Sequence, residues 1–118
     1  MSTQRPKGLL RQGDVLLVPV EDVPSRARPI TDRRRRLVLA EGEATGHAHV
    51  VRGPRARLFA HRSPTFAPTR HYLLVEAEPA TLVHEEHDPI RVPPGVYRVV
   101  RQREYEPRAE RNWRAVAD

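Results

Sequence analysis

The chain has 118 residues, a formal net charge of +6 and no cysteine, which excludes disulfides, iron–sulfur clusters and thiolate-bound zinc. That length suits one domain able to bury a modest core. No apolar run approaches the roughly 20 residues of a membrane-spanning helix, and the basic start Met1–Lys7 has no apolar leader behind it. The expectation is a soluble cytoplasmic protein with no membrane partner.

Short runs of Val, Leu and Ile, punctuated by Gly and Pro about every eight to twelve residues, predict an all-β chain folded as a small barrel or sandwich. Residues 1–12 read as a flexible N-terminal segment, 13–105 as the domain, and 106–118 as a tail that docks through Trp113 or frays. Gln12-Gly13-Asp14 is a turn that opens a strand from Val15 to Val20, where Pro19 points to an edge or a bulge. Leu37–Ala40 makes the next strand, and another begins near His47 and runs to Val51. Arg57–Ala60 is a short strand, and Arg62–Thr69, with Pro64 and Pro68, reads as a loop. Tyr72–Glu76 and Ala80–His84 flank a turn at Glu78-Pro79, and Ile90–Val92 and Val96–Arg103 flank Pro93-Pro94-Gly95, a type II turn signal. The 12 prolines leave little room for helices, and no segment before residue 105 holds a 3.6-residue apolar period.

Lys7 is the only lysine; the other basic residues are arginines. Arginine grips phosphate and carboxylate bidentately, so nucleic acid or an acidic protein is a possible partner. The densest run, Arg33–Arg36, reads as a solvated loop entering a strand, or as a phosphate patch. The six aromatics are not interleaved with arginines as a base-stacking surface requires. Arg98, Arg101 and Tyr97 are candidate ligand-binding residues for an anion, against a structural reading of cross-strand Arg–Glu pairs.

Four of the six histidines form two clusters, His47-Ala48-His49 and His84-Glu85-Glu86-His87. On a strand, His47 and His49 share one face, as do His84 and Glu86, while Glu85 and His87 take the other. Asp88-Pro89 is expected to end that strand, and a bulge near His87 would bring both of its histidines together. His84 with His47 and His49 would make a three-imidazole metal site with open positions, and His87 is a further candidate ligand. Glu86 and Glu85 are candidate catalytic residues, as general base, ligand or orienting partner. The structural alternative is a charged strand end with Glu and His paired across strands. His61 and His71 read as surface residues or a rim. The metal would be zinc, iron, manganese or nickel.

Gly13-Asp14-Val15-Leu16-Leu17, Gly42 to His49, His84 to His87 and Pro94 to Tyr105 resemble a functionally uncharacterised family of small bacterial and phage β-proteins. That resemblance implies a domain and no activity. More distantly, His47-Ala48-His49 and Pro93-Pro94-Gly95 resemble the two motifs of cupins, β-barrels that hold a metal with three His and one Glu. Val50–Pro54 offers no glutamate after His49, and Arg98 stands where the second motif has its histidine, so a cupin-type centre here would have to recruit His84, Glu86 or His87.

Without cysteine or a Gly-x-Ser-x-Gly elbow, a covalent hydrolase has no anchor, and no Gly-rich phosphate loop occurs. The functional expectation is metal-assisted catalysis or small-ligand binding at the His/Glu site. The alternatives are a basic binding module and a self-associating subunit of a larger, phage-related assembly.

Overall fold

The computed structural model describes residues 8–31, 36–41, 47–63 and 65–102, with Phe66 and Ala67 described by their backbone alone. The Arg33–Arg35 run, the segment Gly42–Gly46, Tyr105 and the tail with Trp113 lie outside the described residues. Ten strands follow in chain order: β1 Leu10–Gln12, β2 Val15–Val20, β3 Arg28–Ile30, β4 Leu37–Glu41, β5 Ala48–Arg52, β6 Ala56–Ser63, β7 Phe66–Val75, β8 Ala80–His84, β9 His87–Val92 and β10 Gly95–Arg101. The all-β expectation holds. No helix among the described residues is long and apolar enough to cross a membrane.

Six strands form one antiparallel sheet in the order β1-β2-β10-β7-β6-β3, and four form another in the order β4-β5-β8-β9. Successive hairpins alternate between layers: β4–β5 in the smaller sheet, β6–β7 in the larger, β8–β9 in the smaller again. Both sheets contribute every second residue to one core. Val15, Leu17, Leu73, Val75 and Tyr97 of the larger sheet pack with Ala40, Val51, Ala80, Leu82 and Val92 of the smaller. Burying each of the leucines contributes on the order of 1.5–3 kcal/mol.

Several sequence expectations change. Leu10–Gln12 is a strand rather than part of a flexible segment, because it pairs with Val15–Leu17 and buries Gln12. The Arg62–Thr69 segment is mostly strand: β6 and β7 pair from Ala56↔Val75 out to Ser63↔Phe66, with a register shift beyond His61 that takes up extra β7 residues around Pro68. Pro93-Pro94-Gly95 joins strands in different sheets, and Gly95 opens β10 with φ 154° instead of taking the left-handed position of a type II turn. Tyr97, fully buried, pins this crossover by donating its hydroxyl to Pro93 O at 2.6 Å. Pro19 is tolerated in β2 because β1 covers that strand only as far as Leu17, leaving no partner there for the missing N–H.

Candidate metal centre

The histidine clusters meet because of strand register. Val51 lies opposite Leu82, and Leu82 opposite Ile90, so this row runs across β5, β8 and β9 along the core face. Two residues along each of β5 and β8, on the same face, stand His49 and His84, and His84 lies directly opposite His87. The apolar row is thus followed at the mouth of the sandwich by a row of imidazoles. Ring centroids are 4.2 Å apart for His49–His84 and 4.7 Å for His84–His87, close to the spacing of neighbouring strands.

Glu85-Glu86 forms the two-residue turn between β8 and β9. The strand therefore does not run through His84–His87 as expected, and His84 and His87 share a face instead of opposing ones. Asp88-Pro89 does not end the strand either. β9 passes through it by a bulge, since the register shifts between the Leu82↔Ile90 and His84↔His87 pairs. The expected bulge near His87 is present, on the strand that also has to absorb Pro89.

One ring nitrogen from each of His49, His84 and His87 lies within 4.8 Å of the others, as do ligand atoms of His47, His84 and Glu85. The converging triad contains His87 in place of His47. His47 precedes β5 and stands to one side, its ring centroid 5.7 Å from that of His84 and its Nδ1 3.5 Å from Glu86 Oε2. Tetrahedral ligation at 2.0–2.1 Å places ligand nitrogens about 3.4 Å apart.

The β1–β2 hairpin closes the site from the other sheet. Gln12 Nε2 donates to Leu82 O and to Asp88 O, both at 2.9 Å, which fixes the amide with its oxygen 2.8 Å from His49 Nδ1. That oxygen can only accept, so His49 Nδ1 carries the proton and Nε2 holds the lone pair. His49 is 5% exposed. Its pKa is pushed down to about 4, by burial first and then by His84, against an upward pull from Asp14 and with smaller downward effects of His87 and Arg101. It is therefore neutral, as a ligand must be, at physiological pH.

Asp14 Oδ1 lies 3.7 Å from His49 Nε2, and its other oxygen 3.9 Å from Arg101. Gln102 N donates to Asp14 O at 2.7 Å, tying the end of β10 to this hairpin. Gly13, with φ +58°, brings its backbone against His87; a Cβ there would fall 2.7 Å from His87 Nε2. The Glu85 carboxylate accepts from Ala48 N at 3.1 Å, and its own backbone N–H together with that of Ala48 holds its pKa below the usual carboxylate range. Glu86 N donates to His84 Nδ1 at 3.0 Å.

Of the other candidates, Arg101 reaches the site through Asp14, but Tyr97 is a core residue and Arg98 lies on the opposite face of β10. His61 and His71 belong to the β6–β7 hairpin of the larger sheet. Sequence reasoning missed Gln12, Asp14 and the contact at Gly13. A turn was legible there, but nothing in Gln12-Gly13-Asp14 signalled that its glutamine is buried against a histidine 37 residues away.

A family described as Domain of unknown function (DUF8820) has a model that matches residues 11–102. The chain belongs to that family. The match to the DUF8820 domain begins within β1 and ends just past β10, so it spans all four segments that build the histidine site. No curated protein and no solved structure matches the chain.

Proposed function

We propose that this domain binds a divalent transition-metal ion through His49, His84 and His87 and uses it in metal-assisted chemistry on a small ligand. The observation that carries this reading is the convergence of three imidazoles, one of them held neutral and in a single tautomer by Gln12. An all-imidazole set with nearby carboxylates suits zinc, iron or nickel, and manganese where carboxylates join. Three protein ligands leave coordination positions open, and a bound ion there supplies Lewis acidity or an activated water. The chain's own part is to orient and to move protons. Asp14 and Glu86 stand beside the imidazoles as proton acceptors, while Glu85 is engaged by the Ala48 amide and fixes the β8–β9 turn on β5.

His84 Nδ1 accepts from the Glu86 amide. Binding an ion through Nδ1 displaces that amide, and binding through Nε2 puts a proton on Nδ1, so either route gives up this hydrogen bond. The test is elemental analysis of tag-free protein together with thermal shift on adding zinc, iron, manganese or nickel. About one ion per chain is expected, with stabilisation of about 2.7 kcal/mol at a hundredfold excess over Kd and loss of both in H84A. Metal-free protein whose melting no ion shifts, or equal binding by H84A, would refute the reading.

A further inference from the structure

A second feature opens at the same mouth. The inner face of the larger sheet continues from buried Leu58 to a cleft lined by Arg26, Arg28, Ile30, Ala60, Arg62 and Thr69, with a volume of about 540 Å³. Register explains how those side chains meet. Arg28 lies opposite Ala60 and Ile30 opposite Leu58, so these four share the core face of the sheet, and Arg62 follows Ala60 two residues on. Arg26 comes from the turn Pro24–Ala27, closed by Ala27 N donating to Pro24 O at 3.0 Å. The volume falls within the range of small-molecule sites.

Arg57 and Arg101 each have a carboxylate partner, but among the described residues the side chains of Arg26, Arg28 and Arg62 make no ion pair or hydrogen bond. All three side chains are exposed, and together they give this concave surface a positive potential that favours an anion. Their planar forks match carboxylate and phosphate oxygens two at a time. Ile30 and Ala60 give the cleft an apolar floor, and Thr69 supplies a hydroxyl.

We infer that this cleft binds a small organic anion, a phosphate or carboxylate joined to a short apolar body. The arginines take the charged head, and Ile30 and Ala60 take the body. The histidines lie at the same end of the molecule. β10 runs antiparallel to β7, with Val99 opposite His71, so the end of β10 that holds Arg101 against Asp14 neighbours the start of β7 that carries Thr69. The inference rests on the arginines and the cleft and not on the metal.

Phenyl phosphate, benzoate and inorganic phosphate are titrated into the metal-stripped full chain in EDTA at low ionic strength, with binding followed by calorimetry and amide shifts. Saturable binding of phenyl phosphate or benzoate is expected, at least tenfold tighter than inorganic phosphate, with shifts centred on Arg28, Ala60 and Thr69. Which of the two aromatic anions binds more tightly identifies the head group. R28Q/R62Q is expected to weaken that binding at least tenfold. R26Q, in an exposed turn outside the strands, is expected to weaken it several-fold in a chain whose folding it does not threaten. Equal affinity for inorganic phosphate, unchanged binding in R26Q, or shifts elsewhere on the surface would overturn the inference. So would binding of a short oligonucleotide while phenyl phosphate and benzoate fail to bind.

Discussion

Gln12 Oε1 lies 2.8 Å from His49 Nδ1, and the rest of that amide is committed to two backbone carbonyls of β8 and β9. One side chain therefore joins β1 of the larger sheet to three strands of the smaller one and selects the imidazole tautomer. Q12A strands Leu82 O and Asp88 O as well as His49 Nδ1, and is expected to cost about 1–3 kcal/mol of stability. It should also lower metal affinity about 10–100-fold. Urea unfolding in EDTA and competition with a chromophoric chelator measure the two effects separately.

His49 makes stability depend on pH in a definite direction. Its folded pKa of about 4 lies below the ordinary imidazole value of 6.5, so the unfolded chain takes up more protons between those values. The contribution is fully present above pH 6.5 and is lost as pH falls towards 4, a change of about 3 kcal/mol. Urea unfolding of the metal-free protein across that range should show the loss. In H49F, which keeps the site filled without a titrating group, most of this slope should vanish.

Gly13 is required twice over, by its left-handed backbone and by the His87 ring against it. G13A places a Cβ 2.7 Å from His87 Nε2 and is expected to destabilise by about 1–2 kcal/mol. Because His87 has to move, metal affinity should fall too, which a backbone effect alone would not produce. Isothermal titration with zinc at matched folded fraction distinguishes the two.

Tyr97 provides the contrast. Y97F leaves Pro93 O without its donor and should cost about 1 kcal/mol while leaving metal binding unchanged. Burial pushes the Tyr97 pKa up to about 12, so its contribution to stability persists below pH 10 and declines as pH rises towards 12. Unfolding of the wild type and of Y97F compared at pH 9 and pH 11 checks this sign.

Much of the fold was legible because alternating apolar residues declare a half-buried strand, and β2 matches its expected limits of Val15 to Val20. The short border strands β1 and β3 were not, since three residues carry no period and Arg28–Ile30 holds a proline. The histidines were legible as residue types but not as a set. Choosing His87 over His47 depended on Glu85-Glu86 being a turn, and that pair lacks the Asn-Gly or Gly-x signal of a tight hairpin. Gln12 was invisible for a related reason: a polar residue beside a turn glycine ordinarily faces water, and only the packing of one sheet on the other buries it.

The prolines in β3 and β9, each of which borders one of the sheets, have a bearing on self-assembly. Pro29 and Pro89 each remove an amide donor from a strand that is ladder-paired along one flank only. A foreign chain seeking to template on either border meets an interrupted ladder, and at Asp88-Pro89 a kinked one as well. The bulge that brings His87 opposite His84 thus also discourages fibrillar growth along that flank.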